Sequence, residues 1–170
     1  MSKLYNVTAV AVTEAGLTVT IPVTGGGPQG PTGQVNNNAS AFLVNGVKSN
    51  FIFANLNRTI SAWNGSAGTS AQIKTTTPGA VYTGLAIGSN ASGPMLYAVN
   101  AASGQIDVFN DAYAPVNLGV GAFVNSNASL AGLVPFNVKN INVDIYVTYA
   151  PPGRAVQIAA GEGSWSSGRF

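Results

Sequence analysis

Apolar runs of about four to eight residues, each closed by Gly, Asn, Ser, Thr or Pro, succeed one another along the chain. Runs of this length between turn formers read as β-strands. Leu17, Val19 and Ile21 alternate with Thr18 and Thr20, the period of a half-buried strand. Pro22 moves that strand toward a sheet edge, because proline has no N–H for the ladder. The stretch 24–33 is rich enough in Gly and Pro to end any regular element and reads as a crossing between units. A linker between two domains is the alternative, but too few residues precede it to build a domain. Further strands are expected around 33–37, 41–44, 50–54, 59–64, 71–76, 79–88, 94–100, 105–110, 114–119, 134–138 and 142–149. The pattern contains no convincing amphipathic helix; residues 126–134 have some helical character, cut short by Gly132 and Pro135. Lys3-Leu4-Tyr5-Asn6 looks like the end of a strand whose partners are missing. Beyond Arg154 the chain turns small and polar, so 155–170 is expected to be an irregular tail.

One strand–turn–strand unit occurs twice. Phe51 to Asn64 is echoed by Leu96 to Asn110: an apolar strand, a polar turn, and a second strand ending aromatic–Asn. Trp63 and Phe109 are about 46 residues apart and Tyr97 and Tyr146 about 49, a period in the range of a four-stranded propeller blade. The expected fold is therefore all-β, a partial β-propeller of about three four-stranded antiparallel blades over 1–154. The units fall near 1–29 (incomplete), 30–78, 79–132 and 133–154 (incomplete). A β-sandwich or jelly roll is the alternative.

In order and spacing, several stretches resemble uncharacterised, secreted bacterial β-propeller proteins, similar in shape to the NHL-like and gluconolactonase-like propellers. They are Lys3–Asn6, Gly30-Pro31-Thr32-Gly33, Phe51–Asn64, Gly79–Asn90, Met95–Phe109, Pro135–Ile141 and Ile145–Ala150. The resemblance implies a ring of about six blades, of which this chain would hold the middle, and an extracellular or cell-surface location. The opening and closing blades are absent, and the turn Asn55-Leu56-Asn57-Arg58 lacks the acidic residues the family pattern would carry. The resemblance implies no activity and no residue role.

Composition narrows the chemistry. Charged residues are 7% of the chain against about 25% in typical globular proteins, and the polar load falls on Asn, Ser, Thr and Gly. Seven Lys/Arg against five Asp/Glu leave a net charge of +2, scattered without a run, so there is no basic footprint for nucleic acid. The chain has no apolar stretch of membrane-spanning length, and Glu14 interrupts the short run Val7–Val12 where a signal peptide would need its apolar core. With no histidine and no cysteine, imidazole and thiolate chemistry are excluded, as nucleophile, base or metal ligand.

Five carboxylates remain: Glu14, Asp107, Asp111, Asp144 and Glu162. Asp107 and Asp111 are near enough in sequence to suggest a glycosidase pair, which must face across a scissile bond at roughly 5–9.5 Å. The competing reading turns Asp107 to solvent between Ile106 and Val108 and uses Asp111 to start a turn. Asn110-Asp111 and Asn142–Asp144 could lend oxygens to calcium, but no calcium-loop motif accompanies them. The glycines at 25–27, 84 and 88 match neither dinucleotide nor Walker loops and read as turn and packing residues. Trp63 and Tyr113, with the other aromatics, either form a sugar-stacking platform or pack between neighbouring units. N-x-[ST] sequons begin at Asn6, Asn38, Asn57, Asn64, Asn90 and Asn127. Trp63, Asp107, Asp111 and Tyr113 are thus the candidate ligand-facing residues, with no catalytic residue, cofactor or metal expected. The reading is a non-catalytic structural or interaction module that self-associates through unburied blade faces or meets protein or carbohydrate. Two alternatives stand beside it: part of a sugar-binding or lactonase-like enzyme whose active groups lie elsewhere, and a self-assembling shell or fibre protein.

Overall fold

The computed structural model describes residues 1–22, 24–25, 29–119, 121–125 and 132–153, together with the strand Ser166–Arg169. It is all-β, and among the described residues there is no α-helix, only a 3-10 turn at Gly65–Ala67. The strands are β1 (Ser2–Val7), β2 (Val12–Val19), β3 (Pro31–Asn36), β4 (Leu43–Val44), β5 (Val47–Lys48), β6 (Phe51–Asn55), β7 (Thr59–Trp63) and β8 (Gln72–Thr76). They continue as β9 (Tyr82–Asn90), β10 (Gly93–Asn100), β11 (Gln105–Phe109), β12 (Pro115–Val116), β13 (Val134–Ile141), β14 (Asp144–Ala150) and β15 (Ser166–Arg169).

Three antiparallel sheets form in chain order: β3-β6-β7-β8, then β9-β10-β11-β12, then β13-β14-β15. Two ribbons accompany them, β1-β2 and β4-β5. Among the described residues the sheets do not close on themselves into a barrel or a ring. The first sheet packs on the second through Ile52, Ala54, Ile60 and Ala62 against Leu85, Leu96, Ala98 and Phe109. The other face of the second sheet, with Ala86, Met95, Tyr97, Val99 and Val108, meets Val138, Ile145, Val147 and Tyr149 of the third. Sheets covered on both faces need side chains that tolerate burial on both, so β6 and β10 read as nearly continuous apolar runs, while β7 alternates Ile60 and Ala62 with the buried hydroxyls of Thr59 and Ser61. Each fully buried Ile, Leu or Val there contributes about 1.5–3 kcal/mol.

The remaining face of the first sheet, with Phe53 and Trp63, is covered by Val19 and Ile21, with Leu17 beside them. The inward alternation of Leu17, Val19 and Ile21 is thus realised, although β2 itself starts earlier. Two expectations are corrected. The Lys3–Asn6 strand has its partner: β1 pairs with β2 in a hairpin. The tail expected to be irregular includes β15, which pairs Ser166–Arg169 with Tyr146–Tyr149. The span considered for helical character lies mostly outside the described residues, and its end at Val134 opens β13.

A register irregularity recurs in the first strand of every sheet. Gly33 pairs with Ala54 but Pro31 with Asn55, leaving Thr32 as the extra residue of a bulge. Thr83 is the extra residue between Gly84, opposite Val99, and Tyr82, opposite Asn100. Phe136 is extra between Asn137, opposite Thr148, and Pro135, opposite Tyr149. The three bulges are about fifty residues apart, a structural repeat stricter than the sequence echo. The residue after each bulge sits where successive sheets touch. A Cβ on Gly33 would lie 2.7 Å from Leu85 N, and one on Gly84 2.9 Å from Asn137 Cα, so glycine is what permits the approach.

Candidate functional site

The neutral polar side chains mostly serve the backbone. Asn64 Nδ2 donates to the carbonyls of Val44, Val47 and Lys48 (3.0–3.1 Å). Its Oδ1 accepts from Ser66 N at 3.0 Å, capping the 3-10 turn. That clamp holds the β4-β5 ribbon, whose Asn45-Gly46 turn has both φ angles positive (52° and 76°), as a two-residue hairpin turn requires. Asn37 Nδ2 donates to Ala41 O and Ser49 Oγ. Asn90, Asn110 and Asn117 each accept a backbone N–H two residues ahead. Short amides that bond their own turns explain how a chain so poor in charge organises its loops.

The candidate residues separate. Trp63 is 7% exposed and Tyr113 4%, so neither offers a ring face for stacking on a sugar. Trp63 stacks on Phe51 and donates Nε1 to Gly68 O at 2.7 Å. Tyr113 packs edge-on against Phe42 between the ribbon β4-β5 and the second sheet. Its hydroxyl is buried and makes no well-formed hydrogen bond, Ser49 being its polar neighbour; burial pushes its pKa up to about 12, and the Ser49 contact draws it back in part. Asp111 is exposed in the turn after β11, and its carbonyl accepts from Phe42 N.

Asp107 departs from the solvent-facing reading. It lies opposite Ala98 on the face turned to the first sheet and is half-buried. Its Oδ2 accepts from the Tyr82 hydroxyl at 2.9 Å and from Asn100 Nδ2 at 3.0 Å. The Tyr82 oxygen also lies 2.7 Å from Thr77 Oγ1. The bulge at Thr83 makes this cluster possible: without the extra residue, strict alternation would place Tyr82 on the opposite face with Gly84 and Ala86. Burial drives the Tyr82 hydroxyl well above the ordinary phenol range, with the Asp107 carboxylate adding to it, so it stays protonated and donates.

A groove of about 980 Å³ runs along β11 and β12 toward the third sheet, with Thr77 and Asp107 at its polar part and Val108, Leu118, Phe123 and Tyr149 along its apolar walls. Asp107 lines it and Asp111 does not, so the two carboxylates are not brought together across the groove as a glycosidase pair requires. Among the described residues no group of three or more acidic side chains could hold a metal ion, and no helix is long and apolar enough to cross a membrane. Of the sequons, Asn57 and Asn64 are buried, Asn6, Asn38 and Asn90 are exposed, and Asn127 lies outside the described residues. The residues that sequence reasoning missed are the bulge positions Thr32 and Thr83 and the amide Asn100. Their signal was faint: a Thr-Gly pair near the start of two strands. No family model, curated protein or solved structure matches the chain.

Proposed function

We propose that this chain is a non-catalytic structural and interaction module, a run of consecutive units from a propeller-like, extracellular assembly. The repeated bulge in the first strand of each sheet carries the reading. Equivalent strands β3, β9 and β13 meet in sequence at Gly33, Gly84 and Asn137, as the inner strands of neighbouring blades would. Every sheet takes its strands in chain order, whereas a jelly roll or Greek-key sandwich needs crossovers within its sheets.

Such a stack is completed by covering its last face. Val138 and Val147 point to the second sheet, so Lys139 and Tyr146, directly opposed in register, point the other way. Further units of a longer chain, or a second copy, would cover that face. Light scattering on the purified chain with Tyr146→Lys as control tests this. Association that the variant weakens supports the reading; a compact monomer over a wide concentration range overturns it and favours a self-sufficient sandwich.

A second reading, carbohydrate binding in the groove, rests on Asp107, the one carboxylate there among the described residues. Binding on a glycan array that Asp107→Asn abolishes would support it, and no binding by the parent chain would remove it.

A further inference from the structure

We infer that the groove along β11 and β12 is a binding site for a small organic cation, with Asp107 taking its ammonium group and the apolar walls its body. The groove's volume of about 980 Å³ lies at the upper end of small-molecule sites, which run to roughly 300–1,000 Å³. Among the described residues that line it, Asp107 is the only one with a charged side chain. One negative charge in an otherwise neutral wall favours a cation over an anion or a neutral molecule.

The carboxylate is held in place by its surroundings. Both of its side-chain donors, the Tyr82 hydroxyl and Asn100 Nδ2, bond the same oxygen, Oδ2. Tyr82 and Asn100 are themselves buried, and Tyr82 is braced by Thr77. Two fixed donors orient the carboxylate before any ligand arrives, which removes part of the ordering cost of binding. Oδ1 is different: no described residue bonds it, and it is not one of the buried oxygens without a partner, so it is open to solvent. Among the described residues no lysine or arginine pairs with Asp107, in contrast to Glu14, which Lys3 neutralises at 2.8 Å. A charge taken partly out of water gains most from an opposite charge, and Oδ1 is the oxygen able to receive it.

The rest of the groove fits the body of such a molecule. β12 pairs only with Val108 and Phe109 of β11, so the groove passes round the sheet edge at Ile106 and Asp107. From there it continues past Leu118 and Phe123 to Tyr149, whose hydroxyl already donates to Phe123 O at 3.3 Å. Apolar walls leading away from a single charge suit a primary amine on an alkyl or aryl body. A polyhydroxylated sugar would leave hydroxyls without partners along them. The inference rests on the same carboxylate as the carbohydrate reading and goes beyond it by naming a cation as the occupant.

Titration of the full chain with phenethylamine, phenethyl alcohol and glucose, followed by amide chemical shifts in NMR, tests this. Phenethylamine is expected to shift the Ile106, Asp107 and Val108 amides. It should bind at least about tenfold tighter than phenethyl alcohol, its neutral counterpart, because a charge-assisted hydrogen bond is roughly twice as strong as a neutral one. Asp107→Asn keeps an oxygen for Tyr82 and removes the charge, so that preference should vanish while the thermal melt stays near the parent's. Asp111→Asn, at an exposed carboxylate outside the groove, should leave the preference intact. Equal binding of amine and alcohol, binding of neither, or a preference that survives Asp107→Asn overturns the inference. The amine–alcohol comparison on the parent chain needs no variant, so it decides even where Asp107→Asn does not fold. Glucose shifting those amides where phenethylamine does not overturns the cation and leaves the carbohydrate reading standing.

Discussion

Gly84→Ala perturbs the contact on which the order of the sheets rests. Gly84 is buried, and its φ lies outside the left-handed region, so the backbone admits alanine and only space opposes it. The new methyl would overlap Asn137 Oδ1 and sit 2.9 Å from Asn137 Cα and 3.1 Å from Val138 N. The amide can rotate away but the backbone of β13 cannot, so β9 and β13 must separate and loosen Ala86, Tyr97 and Val99 against Val138 and Val147. Overpacking of this kind costs about 1–3 kcal/mol, while alanine in place of glycine in a strand returns about 0.5–1 kcal/mol. The net expectation is a loss of about 1–2 kcal/mol, or roughly 2–8 °C in Tm for a chain of this size. Urea and thermal melts followed by circular dichroism and Trp fluorescence measure it. Gly65→Ala is the control: nothing lies within 4 Å of its Cβ, and it should stay within about 0.5 kcal/mol of the parent. Gly84→Ala as stable as Gly65→Ala would refute the close packing of the second and third sheets.

Thr32 and Thr83 occupy equivalent bulges with opposite expectations. Thr32 Oγ1 donates to Tyr82 O at 2.6 Å, so Thr32→Val should cost about 1 kcal/mol, whereas the Thr83 hydroxyl is buried and unpartnered, so Thr83→Val should be neutral or stabilising in the same melts. Asn64→Ala strips three carbonyls of their donor and should cost about 2–3 kcal/mol, with hydrogen exchange accelerating first in the β4-β5 ribbon. At high pH the buried tyrosines oppose unfolding less and less. Burial raises Tyr82, Tyr97, Tyr113 and Tyr149 above the ordinary value of 10.0, Tyr113 to about 12. The unfolded chain ionises first, so this stabilisation is whole below about pH 10 and lost as pH rises toward 12 and beyond. The urea midpoint should hold to about pH 9 and then fall, with tyrosinate absorbance rising alongside unfolding; full ionisation near pH 10 in a folded chain would contradict the burial. Tyr113→Phe, which removes a buried hydroxyl that makes no well-formed hydrogen bond and has only Ser49 beside it, should stay within about 0.5 kcal/mol of the parent or exceed it.

Strand positions were legible in the sequence because apolar runs and turn formers act locally. Phe51–Asn55, Thr59–Trp63 and Gln105–Phe109 each fall within a residue or so of expectation. Turn chemistry was equally local: Asn64, Asn90 and Asn110 bond backbone within a few residues of themselves. The facing of side chains was not local. Asp107, flanked by Ile106 and Val108, looks solvent-facing by alternation, yet in a sheet packed on both sides its face is covered too. Trp63 and Tyr113 could have served a surface or a core equally well, and only the N-terminal segment and the Phe42 ribbon, each distant in sequence, decided for the core. The partner of β1 was missed because alternation in Leu17–Ile21 obscured the bulge that carries β2 back to Val12.

Composition and spacing by themselves determined an all-β chain with repeated units, without imidazole or thiol chemistry, organised by amides instead of charges. The tertiary structure decided which sheet meets which, and it did so through one extra residue per unit. A bulge at Thr32, Thr83 and Phe136 shifts the facing of its strand, which no single-strand period can reveal, because the shift exists only relative to the neighbouring strand.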